Sequence, residues 1–506
     1  MIKPLLRAAL CAALLAPILP ITPQVAAQGA PGAAAPNARV IVKYKADVVA
    51  QSKRALSATD RTAMQMQTLG QRLGLVLRTG AALHERAHVV FASGMSSEQL
   101  AARLARDSEV EYAVPDGRKR RSAAPNDPLY TTVGGTGPTV GQWYLRRNAG
   151  AVKSSIDVEP AWNITPGNGN LVVAVLDTGV RYDHPDLRPV ANGGNLLPGY
   201  DMIADLETAN DNSGQDADAS DPGDWISQAD VNSGMYAPCT ALDIGDSSWH
   251  GTQTAGLIGA LTDNGVGMAG VGRTVRVLPV RVLGKCGGFD SDIVAGMRWA
   301  AGLSTGDASV PDNPVANRAR VINLSLGGTG ACTQIYQDTV NELTAMGVTV
   351  VASAGNGTGH AVNSPANCAG VIGVSGLRHI GTKVGYSDLG PEVSISAPAG
   401  NCVLEGAADR CLYPILTTSN SGLTTPAGAI YTDSINASFG TSFSAPLVAG
   451  SVALMLAAQA SWTPSQIRTI LRATARPFPT MGADNGSIPG PVQQCRAPSN
   501  LEQLQC

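Results

Sequence analysis

Three side chains in this sequence could together perform nucleophilic catalysis: Asp177, His250 and Ser442. A serine hydroxyl is a poor nucleophile until a base takes its proton. Neutral imidazole does so near pH 7, and a buried carboxylate then fixes the imidazole tautomer and stabilises the imidazolium. Asn356 offers a fourth element, a side-chain amide able to donate to an oxyanion together with the Ser442 backbone N–H. Taken singly, each has a plainer explanation. A serine at a helix start is most often a cap, an asparagine near glycine a turn, an aspartate before Thr-Gly a loop residue. The case therefore rests on the elements that carry them.

Those elements are strand ends and helix starts. Asp177 ends "LVVAVLDTG", where Gly179 lets the chain turn, and Asn356 closes "VTVVASAGN". His250 opens the helical "HGTQTAGLIGAL", and Ser442 opens the helix of "GTSFSAPLVAG", an apolar segment suited to burial. Together with "VRVLPVRVL", "RVINLSLGG" and "GVIGVSG", the strand segments are apolar without alternation, as strands buried on both faces of a parallel sheet must be. Helical segments such as "SDIVAGMRWAAGL" separate them. From 124 to 480 this predicts an α/β domain, a doubly wound parallel sheet with helices on both faces. In such sheets function collects at the carboxyl ends of the strands.

A smaller unit precedes it. Residues 1–27 read as an export signal: Lys3 and Arg7, an apolar run from Ala8 to Leu19 broken by Pro17, and small residues Val25 to Ala27. Residues 28–37 are a Gly/Ala/Pro linker. The strand "ARVIVKYK", a helix from Ala55 to Leu73, the strand "AHVVFAS", a capped helix after Ser96 and the strand "VEYAVP" follow. That β-α-β-α-β order predicts a small ferredoxin-like α+β unit. The basic run "GRKRR" then suggests an exposed processing site, with 28–123 removed and 481–506 left as an extension.

The segments "VAVLDTGV", "HGTQTAG", "ASAGN" and "GTSFSAP", in that order, resemble the four signatures of the subtilisin-like serine peptidases, the subtilases. The chain order Asp…His…Ser also differs from chymotrypsin-like and α/β-hydrolase arrangements. Gln253 stands where the family usually has a second histidine, and Phe443 where it has methionine. The resemblance implies a secreted bacterial-type precursor whose 28–123 unit is an inhibitory propeptide and chaperone. It implies an edge at Ser325, Leu326 and Gly327 on which a protein substrate adds as a strand, with "SAGN" and "VNSP" completing a pocket and Gly287, Gly288 and Phe289 opposite. None of these pocket segments carries an acid, so cleavage after neutral, mainly apolar residues is expected. "LTDNGVGMAG" is similar to the family's calcium loop, with either Asp263 or Asn264 as side-chain ligand. A catalytically dead binding module on the same fold, or an esterase, is the competing reading.

The loop from Asp201 to Asp230 gathers Asp205, Asp211, Asp216, Asp218, Asp221 and Asp224. Either it holds Ca²⁺, whose hard charge suits carboxylate oxygens, or it is a solvated acidic loop. Net charge is −3 and aromatics are 4%, which excludes a general basic field or stacking surface for nucleic acid. No segment after the signal is read as a membrane span, and a monomer is expected. Nine cysteines less Cys11 leave an even number in an exported chain. Cys402 with Cys411, Cys239 with Cys286, and Cys332 with Cys368 are the proposed pairs, with Cys495 and Cys506 left for each other.

Overall fold

The computed structural model describes residues 37–46, 58–84, 86–117, 124–131, 141–150, 152–236, 239–401, 411, 413–433 and 437–477. The chain divides into two compact units, 1–119 and 120–506. The segment read as an export signal, most of the basic run, Cys402, Cys495, Cys506 and residues 481–506, read as an extension, lie outside the described residues.

The first unit runs β1 (Asn37–Tyr44), α1 (Ala58–Leu73), β2 (Arg78–His84), β3 (Ala87–Ser93), α2 (Ser97–Leu104) and β4 (Val110–Pro115). Its sheet is antiparallel in the order β2-β3-β1-β4, the ferredoxin-like arrangement. Val40, Val42, Leu69, Leu100 and Leu104 fill its core. Ser96 and Gln99 form the predicted capping box of α2. The sequence reading misses β2. "RTGAALH" is almost wholly exposed at the sheet edge, so pairing with β3 rather than an apolar pattern makes it a strand.

The second unit is built on β5 (Val172–Asp177), β6 (Tyr200–Asp201), β7 (Arg276–Arg281), β8 (Val321–Leu324), β9 (Thr349–Ser353), β10 (Ile372–Leu377) and β11 (Val393–Pro398). All pair in parallel, in the order β11-β10-β9-β8-β5-β7-β6. The long helices are α3 (His250–Gly259), α4 (Asp290–Ala301), α5 (Gln334–Ala345), α6 (Thr441–Ala458) and α7 (Pro464–Thr474).

Every residue of β5 is buried, and its side chains alternate between two cores. Val172, Ala174 and Leu176 pack with Met297 and Trp299 of α4 and Val340 and Leu343 of α5. Val173 and Val175 pack with Ile258 of α3, Val448 and Val452 of α6 and Ile467 of α7. This is the doubly wound sheet the apolar runs predict. By length and composition α6 is apolar enough to cross a bilayer, but 72% of it is buried inside the unit, as expected of the apolar helix read from the sequence as suited to burial. The chain turns from β5 toward β7 and β6, then crosses back to β8. The crevice at that reversal lies beyond the ends of β5 and β8.

Disulfides join Cys239 to Cys286 and Cys332 to Cys368, as paired from the sequence, with Cα separations of 5.8 and 5.1 Å. Cys411 is buried and disulfide-bonded.

The acidic loop after β6 is organised around a protein-borne cation. Arg281, at the end of β7 and fully buried, donates from Nη1 to Asp201 and, at 2.8 Å, to Asp211, and from Nη2 to the Ala209 carbonyl. Burial pushes the Asp201 carboxyl up to about 7, and Arg281 only partly offsets it. Arg281→Met is expected to strand that carboxyl, cost about 3–5 kcal/mol and lower the melting temperature. Adding Asp201→Asn should return part of the loss, as thermal denaturation would show.

Candidate active site

Asp177 ends β5, an interior strand of the sheet, and is 1% exposed. A carboxylate there is tolerable only with donors around it. Oδ1 accepts the Thr178 N–H at 2.8 Å and faces His250 Nδ1 at 2.8 Å, while Oδ2 accepts the Thr254 hydroxyl at 3.0 Å. Thr254 lies one helical turn after His250, on the same face of α3. Glycine makes the approach possible. A Cβ at Gly251 would collide with the carbonyl of Gly179, itself at φ +98°.

Nδ1–H donation to Asp177 leaves Nε2 of His250 as the free basic nitrogen. Burial opposes protonation of the ring, but the Asp177 charge and hydrogen bond outweigh it, with Asp224 and Asp221 adding. The imidazole is thereby held above its ordinary value. Trp249, just before it, sits at φ +52°, a conformation costing a bulky residue about 1–3 kcal/mol. Its buried indole, donating to the Gly422 carbonyl at 2.7 Å, holds it there.

Ser442 is the second residue of α6, where backbone N–H groups have no intrahelical acceptor. Pro446, four residues on, has no N–H to give the Ser442 carbonyl. That carbonyl accepts the Ser325 hydroxyl at 2.7 Å instead, tying α6 to the end of β8. The Ser442 hydroxyl donates to the Ser325 carbonyl at 3.2 Å rather than to His250. The rings of His250 and Phe443, 5.7 Å apart, bring the start of α6 beside the imidazole. Asn356 follows β9. Its Oδ1 accepts both the N–H and the hydroxyl of Thr441 at 3.0 Å, which assigns Nδ2 as the outward donor beside Gly440.

A model of the subtilase family matches residues 168–495. The chain belongs to the subtilase family. It is 39% identical over 392 residues to an extracellular protease of Xanthomonas campestris, a match covering 77% of this chain and 59% of that protein. An extracellular basic protease of Dichelobacter nodosus is 35% identical over 447 residues, covering 87% and 67%. Among solved structures, a protease from Pseudoalteromonas arctica is similar at 40% identity with a TM-score of 0.60, covering 70% of this chain and 94% of that one.

In this subtilase a cleft of about 640 Å³ runs past His250. Ser325, Leu326, Gly327 and Gly328 line one side, Gly287 and Gly288 the other, and Ser364 contributes from the expected floor. The Cys239–Cys286 disulfide anchors the glycine side. Two acids reach the lining. Asp224 is tied to Ser248, and Asp290 accepts the Tyr336 hydroxyl at 2.9 Å. A larger hollow of about 1350 Å³, bounded by α6, α7 and β11, holds none of the four chemical residues. Chemistry, not size, identifies the site.

The expected calcium ligands are otherwise engaged. Asp205 caps a helical turn, Asp211 pairs with Arg281, and Asp216 and Asp218 accept the N–H groups of Asp218 and Ser220. Asp221 takes the Thr178 hydroxyl, Asp224 takes Ser248, and Asp263 pairs with Arg273. Among the described residues no three His, Cys, Asp or Glu side chains gather to hold a metal. In the acidic loop, hydrogen bonds and Arg281 spread and partly neutralise the charge. Sequence reasoning missed two buried carboxyls, Asp127 and Asp186, beside the 261–270 loop. Asp186 stands in "HPDL", whose His184 is buried and bonded to the Ile430 carbonyl. It also missed Thr178, Thr254 and Ser248, whose hydroxyls carry no signal until the fold places them.

With Asp177 holding its ring, His250 should titrate above the ordinary histidine range in proton NMR. Asp177→Asn should lower that midpoint, and a midpoint unchanged by the substitution would remove Asp177 as the cause.

Proposed function

We propose that the chain is a secreted serine endopeptidase acting through Asp177, His250 and Ser442, with Asn356 and the Ser442 N–H as oxyanion donors. The observation that carries this is the 2.8 Å contact of a buried Asp177 with His250 Nδ1, beside a helix that starts at Ser442. Ser442 Oγ would attack the scissile carbonyl while its proton passes to His250 Nε2. Charge on the carbonyl oxygen would meet Asn356 Nδ2 and the Ser442 N–H. The imidazolium would then protonate the departing amine, and a water activated the same way would release the acyl group. The present Ser442–Ser325 contact is a resting arrangement, since such hydrogen bonds commonly tighten only with substrate bound.

Substrate would lie extended between Ser325–Gly327 and Gly287–Gly288, pairing as an added strand. The segments expected to wall the pocket, Ser325–Gly327, 353–356 and 362–365, carry no charged residue, which supports cleavage after neutral, mainly apolar residues, although Asp224 and Asp290 reach the cleft elsewhere. Extracellular relatives and the N-terminal signal support export. The 28–123 unit, compact in its own right over the residues described, would serve as intramolecular chaperone and inhibitor, cut between Arg121 and Ala124. A large parallel sheet folds slowly, so a template would speed it.

Calcium binding is common among subtilases. Asp127 and Asp186 are the better-placed acids for it here. Burial raises both carboxyls, Asp127 adds to the rise at Asp186, and Asn264 joins them. A structural cation there would relieve two buried like charges. Chelator should then lower the melting temperature and hasten self-digestion, by loss of a ligand that only the folded state binds. An unchanged melt would leave the loop without metal.

The central test is reaction with a fluorophosphonate probe together with casein digestion. Both should be lost in Ser442→Ala, which should accumulate as uncut precursor. Asn356→Ala should keep substrate binding but lower kcat by about 10²–10³, the range known for this donor in subtilisin. Normal maturation of Ser442→Ala with no other peptidase present would overturn the reading.

A further inference from the structure

The helix that presents His250 begins without a cap of its own. Its N-cap position is Trp249, whose side chain accepts nothing from the first turn. The first N–H groups of a helix need acceptors all the same. His250 N–H donates to Ser248 Oγ at 3.2 Å, and Gly251 N–H donates to Thr178 Oγ1 at 3.0 Å. Each of those hydroxyls passes its own proton to a carboxylate. Ser248 Oγ donates to Asp224 Oδ2 at 2.6 Å, and Thr178 Oγ1 donates to Asp221 Oδ2 at 2.6 Å. The Ser248 N–H adds a bond to Asp224 Oδ1 at 2.6 Å, and the Gly223 N–H one to Asp221 Oδ1 at 2.9 Å.

We propose that Asp221 and Asp224 are positioning residues for His250, acting through Thr178 and Ser248 to cap the start of α3. This rests on the triad reading above. A hydroxyl whose proton is committed to a carboxylate has its lone pairs aimed elsewhere, here at the helix N–H groups. Such charge-assisted bonds are short and about twice as strong as neutral ones. Thr178 is also the residue after Asp177, so one relay fixes the aspartate end and the helix end of the dyad together.

The two carboxylates also set a field. The charged groups facing the imidazole are Asp177 from β5 and Asp221 and Asp224 from the segment between β6 and α3, while Phe443 of α6 brings no charge. All three favour the imidazolium. Of these two, Asp224 acts on the ring more strongly than Asp221.

Asp224→Asn removes the charge while keeping the size. The acid limb of kcat/KM should move to lower pH by about half a unit, because less negative charge favours the imidazolium. Its kcat should fall several-fold with KM little changed. Ser248→Ala keeps the charge and loses the cap, so kcat should fall with the limb in place. Thr178→Ser should retain kcat where Thr178→Val loses it, which a purely volumetric role would not produce. Active fractions are normalised by fluorophosphonate labelling of Ser442. Wild type that fails to label would sink the triad itself. Labelled wild type with an unmoved limb and full kcat in Asp224→Asn would sink the positioning role alone.

Discussion

A carboxylate 1% exposed at the end of an interior strand is stable only while its donors stay in place, and Asp177 has three: an amide, a hydroxyl and an imidazole. Two of these come from α3, so the helix must lie against the strand end, and Gly251 against Gly179 is what lets it. The long apolar run that buries β5 supplies the low-dielectric surroundings in which the Asp177–His250 contact is strong. The geometry of the Asp177–His250 pair and the stability of the fold thus share one contact.

Around that centre, protein donors meet the negative charge in layers. Arg281 pairs with β5 at Asp177 in the sheet register, yet turns its guanidinium toward Asp201 and Asp211. Next come the carboxylates whose partners are hydroxyls and amides near α3. Farther out, capping and turn hydrogen bonds engage Asp216 and Asp218. A sequence reader sees one crowd of aspartates, whereas the fold gives each its own donor.

What was legible in the sequence follows from which forces act locally. Strands buried on both faces announce themselves as unbroken Val/Ile/Leu runs, so β5, β7, β8, β9 and β10 could be read with the turns after them. The edge strands β2, β6 and β11 could not, since their pairing depends on neighbours and leaves little apolar pattern. Asp177, His250, Asn356 and Ser442 were conspicuous because each ends or opens an element within a distinctive segment. The hydroxyls that orient them were not. Serine and threonine are common, and only a contact such as Thr178 with Asp221, 43 residues apart, gives one a role. The partners of the clustered aspartates were out of reach for a related reason: composition counts charges, and a hydrogen bond depends on where they point.

The helix bearing Ser442 has no polar face. Of its 18 residues all but a few are sunk into the sheet and the neighbouring helices. Outside that setting it would be as much at home among lipid tails as in water. A chain whose sheet has not yet closed therefore has nowhere to lodge this helix and no serine in register with the imidazole. Burial of one apolar helix and placement of the Ser442 hydroxyl are thus a single event, and the hydrophobicity of that segment ties the position of the serine to completion of the sheet.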